Sequence, residues 1–309
     1  MTTQQLKVMV LAGGPDRERP VSLMSGEQVA AALAEAGHEV LQRDIGPDET
    51  ACLDEFARWG GDVIFPVLHG AWGEGGALQK LLDARELPYV GSTAAAAELC
   101  MDKHRTKLVL AKQGLATPEH QLLTANDTLR LPAPLVVKPP CEGSSIDLVI
   151  CRTDAEAGDA LQRLRPRHPR LLVEKFVSGK EITVGVLSDT GAPRALPPIH
   201  IIPATAFYDY QAKYERDDTQ YLFDIALPPA TLERIKAMAA QAHAVLGCRH
   251  MSRVDFIVDA RNEPWILEVN TIPGFTSHSL LPMAARRAGM ELPQLVDHLV
   301  RLALSLCPA

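Results

Sequence analysis

The rhythm of apolar and polar positions changes along the 309 residues. In the first third, short apolar runs alternate with segments of helical period. Residues 7–12 read as an apolar strand ended by Gly13-Gly14. Residues 25–36 put Val29, Leu33 and Ala36 on one helical face and stop at Gly37, a residue type common just past a helix end. Strands are predicted at 39–43 and 62–68, and a helix over 77–85 after a glycine-rich turn. Strands alternating with helices predict a parallel sheet with helical cover.

The middle third predicts a helix at 102–112, strands at 135–138 and 147–151, a helix near 154–164, and strands at 171–177 and 181–187. Adjacent strands with few helices suggest an antiparallel α+β module. The last third opens with a polar loop at 204–220, dense in Tyr, Asp and Lys. Loops of that length without structure of their own are usually functional or disordered, which marks it as a candidate active-site loop. A helix at 231–246, strands at 253–258 and 265–270, and helices near 279–288 and 293–306 complete the pattern.

Composition narrows the class. Hydrophobic residues make up 47% and charged residues 22%, which excludes a disordered, coiled-coil or collagen-like chain. The net charge of −7 and 5% aromatics argue against nucleic acid as a main partner. No pair of the six cysteines is spaced CxxC, so a zinc site has no support, and reduced thiols are expected. No run reaches the roughly 18 apolar residues of a membrane span, and the first residues lack the basic stretch of an export signal. A soluble, cytoplasmic protein without a membrane partner is expected.

The most informative stretch is Arg253-Val-Asp255-Phe-Ile-Val-Asp259 with Trp265-Ile-Leu-Glu268-Val-Asn270. A hairpin centred on Arg261-Asn262 pairs Asp255 with Glu268 and Arg253 with Asn270. Period-2 alternation then puts all four polar groups on one face, with opposed Cβ atoms roughly 5 Å apart. Two carboxylates that close repel unless a cation lies between them. With an amide oxygen beside them, they suit Mg²⁺ carried with substrate phosphates. A solvent-facing polar hairpin is the alternative. It loses ground because Thr271-Ile-Pro-Gly274 follows at once, a turn that exposes backbone N–H groups.

Lys103 and Lys138 stand apart as lysines that either enter a cleft or snorkel outward. The loop Glu142-Gly-Ser144-Ser145 after Lys138 could wrap phosphate with its N–H groups, although it is no Walker A loop. Glu174-Lys175-Phe-Val177 ends an apolar strand whose backbone could pair with a base edge, with Glu181 on ribose hydroxyls; a solvated strand end is the plainer reading.

Taken in order, the motifs resemble the D-alanine–D-alanine ligase family of the ATP-grasp superfamily. They are Gly13-Gly14, Glu18-Arg19, Val21-Ser22-Leu23 and Ser25-Gly26; Leu68-His69-Gly70 and Gly73-Glu74-Gly75; Met101-Asp102-Lys103; Val137-Lys138-Pro139 and Glu142 to Ser145; Phe207-Tyr208-Asp209-Tyr210 and Lys213-Tyr214; Arg253-Val254-Asp255; Glu268 to Thr271 with Pro273-Gly274; and Thr276 to Leu280. Eight ordered motifs from Ala12 nearly to the C-terminus make the match specific.

The resemblance implies a three-domain ATP-grasp fold, α/β and α+β, with a parallel-sheet N-terminal domain at 1–98, a central subdomain at 99–186 and a C-terminal subdomain at 187–309 that carries the mobile loop and metal site. It implies ATP-dependent ligation of two D-alanines through an acyl phosphate, for peptidoglycan synthesis. An ester-forming D-alanine–D-hydroxy acid ligase, or another ATP-grasp carboxylate–amine ligase, is the alternative.

By the same resemblance Lys103, Lys138 and Ser145 contact ATP phosphates, Glu174, Lys175 and Val177 border adenine, and Glu181 holds ribose. Asp255, Glu268 and Asn270 bind two Mg²⁺, with Mn²⁺ as a substitute. Glu18, with His69 nearby, receives the ammonium of the first D-alanine. Lys213, Ser279 and Leu280 receive the carboxylate of the second. Arg253 and the Gly274 N–H face the oxyanion, while Glu18, Ser144 and Tyr214 link loops over the closed site. A homodimer is the family expectation. The chain departs from the family pattern at Pro20, where an acidic residue is common, at Cys141, and at Asp147, which stands in place of a glycine.

Overall fold

The structure is a computed structural model; it describes residues 4–144, 146–189, 192–204 and 218–305. Strands β1 (Lys7–Gly13), β2 (Glu39–Ile45) and β3 (Val63–Pro66) form a parallel sheet in the order β2-β1-β3. β1 is its centre, and its buried run Val8 to Ala12 leaves no exposed apolar edge. The helix Arg19–Glu35 packs on this sheet. It begins six residues before the predicted start at 25, because Pro20 sits in its first turn, where no intrahelical N–H is needed. That earlier start puts Glu18 at the N-terminal end of the helix.

A second sheet is antiparallel, in the order β4-β7-β5-β6, from β4 (His120–Leu123), β5 (Leu135–Lys138), β6 (Val149–Cys151) and β7 (Leu171–Lys175). The helix Asp154–Leu164 covers it, and Leu135, Val137, Leu161, Leu164 and Val173 form its core. The third sheet runs β11-β10-β8-β12-β13, with β9 beside β8. Its strands are β8 (Gly179–Leu187), β9 (Arg194–Ala195), β10 (Ile199–Ile202), β11 (Gln220–Leu222), β12 (Met251–Asp259) and β13 (Pro264–Asn270). The helix Pro229–Val245 packs across β8, β12 and β13. All partners of β8 lie in this third sheet, so a division after residue 186 falls inside one strand.

Several elements were not anticipated: the helices Ala51–Trp59 and Ala94–Met101 and the strands β4, β10 and β11. The strands are three or four residues long, too short to show a period. The polar loop expected at 204–220 lies mostly outside the described residues. The C-terminal helix Leu292–Ser305 returns to the N-terminal sheet, where Leu295, Leu299 and Val300 share one core with Val8, Val10 and Phe65. The two ends of the chain are thereby fastened together, and the remaining elements enclose a cleft between the sheets.

Candidate active site

The predicted hairpin forms with the expected register on its functional half. Arg253 pairs with Asn270 and Asp255 with Glu268. A bulge between Asp255 and Phe256 then shifts the pairing by one, so that Phe256 opposes Ile266. The bulge leaves the polar face aligned where it matters and moves the mismatch toward the turn.

On that face each carboxylate has its own cation. Arg253 forks onto Asp255 with bonds of 2.9 and 2.8 Å, and Lys103 Nζ lies 3.2 Å from Glu268. Thr183 on β8 donates to Asp255 at 2.6 Å. Asn270 accepts from the Ile272 N–H at 2.9 Å. Two carboxylates and an amide oxygen on one strand pair are hard donors with the chemistry of a Mg²⁺ site. Among the described residues, no group of three or more His, Cys, Asp or Glu side chains could hold a metal. Asp255, Glu268 and Asn270 would fill only part of an octahedral shell, so the donor set fits a cation that brings further oxygen ligands with it.

Two clefts meet at this face. The first is lined by Glu18, His69, Glu74, Ser144, Arg253, Asn270, Gly274, Ser279 and Leu280. The second is more apolar: Val136, Ile146, Ile150, Phe176, Val177 and Ile257 line it together with Lys138, Glu174, Lys175, Glu181 and Asp255. Lys103 and Glu268 belong to both and form their common wall.

In the first cleft, Ser144 donates to Glu18 and joins the loop after β5 to the N-terminal helix. Ser144 has a positive φ of 50°, so that turn is held in a left-handed conformation unusual for serine. Lys103 Nζ also donates to the Glu142 carbonyl at 2.8 Å, fixing the same loop from the other side. Asp102 caps the helix Lys103–Lys112 by accepting from the Arg105 N–H at 3.1 Å, which aims Lys103 into the wall. A Cβ on Gly274 would lie 2.8 Å from Ser279 Oγ, so the backbone passes Ser279 closer than any side chain allows. Ser279 itself bonds the Thr276 N–H at 2.8 Å and precedes the helix Leu280–Arg287.

His69 is buried, and its Nε2 has no hydrogen-bond partner. Burial, with the Arg253 charge adding to it, lowers its pKa to about 4, so the ring is neutral near pH 7. Glu74 lies in the same cleft. Burial first, then the Glu18 charge, pushes its carboxyl up to about 8. Lys103 is held protonated: burial opposes its charge, but Glu268 outweighs that and raises the pKa.

The second cleft has a charged floor. Glu174 pairs with Lys138 and, at 2.8 Å, with Lys107. Burial alone would raise the Glu174 pKa; the two lysines reverse this and bring it to about 2. Lys175 turns away to Glu119 at 2.8 Å and is half exposed.

Of the residues expected at the site, those within the described regions gather in these two clefts. Ser145, Lys213 and Tyr214 lie outside the described residues. Sequence reasoning gave no role to Lys107, Thr183 or Glu74. Lys107 follows Lys103 by one helical turn, which is a usable signal; Glu74 stood inside a quoted motif without an assigned task; Thr183 had none beyond its strand.

Comparison with known proteins decides the family. The profile described as D-ala D-ala ligase C-terminus matches residues 107–301, and that described as D-ala D-ala ligase N-terminus matches residues 53–92. The chain belongs to the D-alanine–D-alanine ligase family. It is 40% identical to the D-alanine–D-alanine ligase of Moorella thermoacetica, over 97% of this chain and 99% of that one. Identity to the Desulforudis audaxviator ligase is 43%, covering 96% and 98%. The fold is likewise the ATP-grasp fold of solved family members. The Bacillus anthracis ligase in complex with ATP superposes with a TM-score of 0.82 at 30% identity, over 97% of this chain and 98% of that one. For the Coxiella burnetii ligase the TM-score is 0.83 at 28% identity, covering 98% and 95%.

Proposed function

We propose that the protein joins two D-alanines into D-alanyl-D-alanine, a peptidoglycan precursor, while ATP is converted to ADP and phosphate. The observation that carries this reading is the junction of the two clefts at the Lys103–Glu268 wall. A more apolar cleft suited to a base opens there onto a more polar cleft suited to an amino acid.

In this reading the adenine enters among Val136, Ile150, Phe176 and Val177, bordered by Glu174 and Lys175, with Glu181 on the ribose. Lys103, Lys138 and the loop containing Ser144 and Ser145 take the phosphates. Asp255, Glu268 and Asn270 hold Mg²⁺, two ions, with Mn²⁺ as a substitute. When bound, Mg²⁺ would neutralise phosphate charge, while Lys103 and Lys138 position the phosphates for a transfer governed by positioning and electrostatics.

Glu18 receives the ammonium of the first D-alanine beside His69, which turns its carboxylate toward the wall. The γ-phosphoryl group passes to that carboxylate and gives an acyl phosphate. Ser279, Leu280 and Lys213 receive the carboxylate of the second D-alanine. Its neutral amine attacks the acyl carbonyl, Arg253 and the Gly274 N–H stabilise the oxyanion, and phosphate leaves. Glu18, Ser144 and Tyr214 join the loops that exclude water from the acyl phosphate. Among the described residues no helix is long and apolar enough to cross a membrane, in keeping with a cytoplasmic enzyme, working as a homodimer.

Phosphate release measured with D-alanine, L-alanine and D-lactate tests the reading. Release that depends on D-alanine, with dipeptide as product, is expected. Release without D-alanine dependence would overturn it, and an ester product would favour the ester-forming alternative.

A further inference from the structure

Three charged groups lie under the nucleotide cleft, away from the reacting atoms. The side chains of Lys107, Glu174 and Lys138 are 0%, 3% and 9% exposed. Burying charges costs several kcal/mol per ion before pairing. One carboxylate stands between two ammonium groups, so the cluster holds one positive charge more than its own members balance.

The two lysines are not equivalent. Lys138 lines the nucleotide cleft at the end of β5. Lys107 lines neither cleft. Its Nζ lies 2.8 Å from Glu174 and donates to Thr117 Oγ1 at 2.7 Å. Thr117 in turn donates to the Ile266 carbonyl on β13 at 2.9 Å. Lys107 is thus fixed from two sides, while Lys138 has Glu174 on one side and the open cleft on the other.

We propose that Lys107 is a positioning residue for the nucleotide: it neutralises Glu174, so that Lys138 can leave that carboxylate and turn to an ATP phosphate. The inference rests on the assignment of ATP to this cleft. With Lys107 in place, Lys138 departs without stranding a buried anion. Without it, Glu174 would have Lys138 as its one close cation and would retain it. The surplus positive charge of the cluster is then completed by the bound phosphate. Glu174 acts as the resting partner of Lys138, in addition to bordering the base.

The test is binding of a non-hydrolysable ATP analogue, together with KM for ATP and for D-alanine, in wild type, Lys107→Met and the double variant Lys107→Met/Glu174→Gln. Lys107→Met is expected to weaken analogue binding by about tenfold or more, with KM for D-alanine changed less than about twofold. Adding Glu174→Gln removes the anion that retains Lys138 and is expected to restore most of the affinity. Loss of affinity that is equal in the single and double variants, or no loss in a folded Lys107→Met protein, overturns the inference. If Lys107→Met does not fold, Thr117→Val decides, because it removes the second anchor of Lys107: analogue binding should weaken while KM for D-alanine changes less than about twofold, and unchanged analogue binding refutes the role. A wild-type protein that fails to bind the analogue would instead refute the assignment of the cleft to ATP.

Discussion

The floor of the more apolar cleft and the face of the β12–β13 hairpin both carry a strand carboxylate paired with a lysine or arginine, yet they are finished differently. In the first, Glu174 is enclosed by Lys107 and Lys138, almost out of contact with water. On the hairpin, Asp255 and Glu268 stand opposite each other, 14% and 29% exposed, and face the open clefts. Arg253 and Lys103 balance them from the sides. The enclosed cluster depends on its internal pairing and reaches the cleft through Lys138 and Glu174, whereas the hairpin carboxylates meet arriving charge directly. Substitutions in the two places should therefore fail in different assays.

The largest effect is expected on the open face. Glu268→Gln removes an anionic donor at the junction of the clefts and should lower turnover by about 10²- to 10³-fold, the size seen when one transition-state contact is lost. Thermal stability of the ligand-free protein should change little, because relief of the repulsion with Asp255 offsets the loss of the Lys103 partner. Near-normal turnover at saturating Mg²⁺ would remove the contrast.

Glu174→Gln should behave oppositely, with its main effect on stability. Two buried lysines lose their counter-ion, which costs about 3–5 kcal/mol in denaturant unfolding. The pH dependence has the sign of a depressed carboxylate. Glu174 is near 2 in the folded protein against its usual 4.5, so its contribution is present above 4.5 and is lost as pH falls toward 2. The variant should show a shallower loss of stability across that window in an acid titration of unfolding.

Glu18→Gln is a smaller change at the edge of the open region. It weakens the bond from Ser144 and the attraction for a substrate ammonium, for about 1–3 kcal/mol, or roughly 5- to 150-fold in KM for the first D-alanine. Equal changes in KM for ATP would mean that Glu18 only holds the loop. The smallest effect is expected at Asp147, whose carboxylate pairs with His168 at 2.7 Å and with the half-exposed Arg167 at 3.2 Å. Asp147→Gly loses those surface pairs but relieves a positive φ of 54°, so unfolding should shift by less than about 1 kcal/mol. A much larger shift would make this tether part of the loop's closure.

Several features were legible without coordinates because they are local or periodic. The hairpin register at Arg253, Asp255, Glu268 and Asn270 followed from a turn centred on Arg261-Asn262 together with alternation, and the pairing agrees on that half of the ribbon. Alternation could not place the bulge beyond Asp255, because Trp265, Ile266 and Leu267 are consecutive apolar residues and do not mark which face each takes. The helix starts at Arg19 and not at 25, and Pro20 does not prevent this, since a first-turn proline lacks only an N–H that would go unbonded there. The early start matters, since it brings Glu18 to the cleft.

By itself the sequence determined the parallel N-terminal sheet, the antiparallel middle module, the polar hairpin face and the family, because periods, turns and ordered motifs are written along the chain. Only the tertiary structure decided which charges meet. Lys107 and Glu174 are 67 positions apart, and nothing local says that a lysine one turn after Lys103 will be fully buried against that carboxylate. The common wall of Lys103 and Glu268, and the pairing of Ser144 with Glu18 across 126 positions, are likewise products of packing. Charge pairing depends on distance and on exclusion of water, and both are set only when the sheets close on one another.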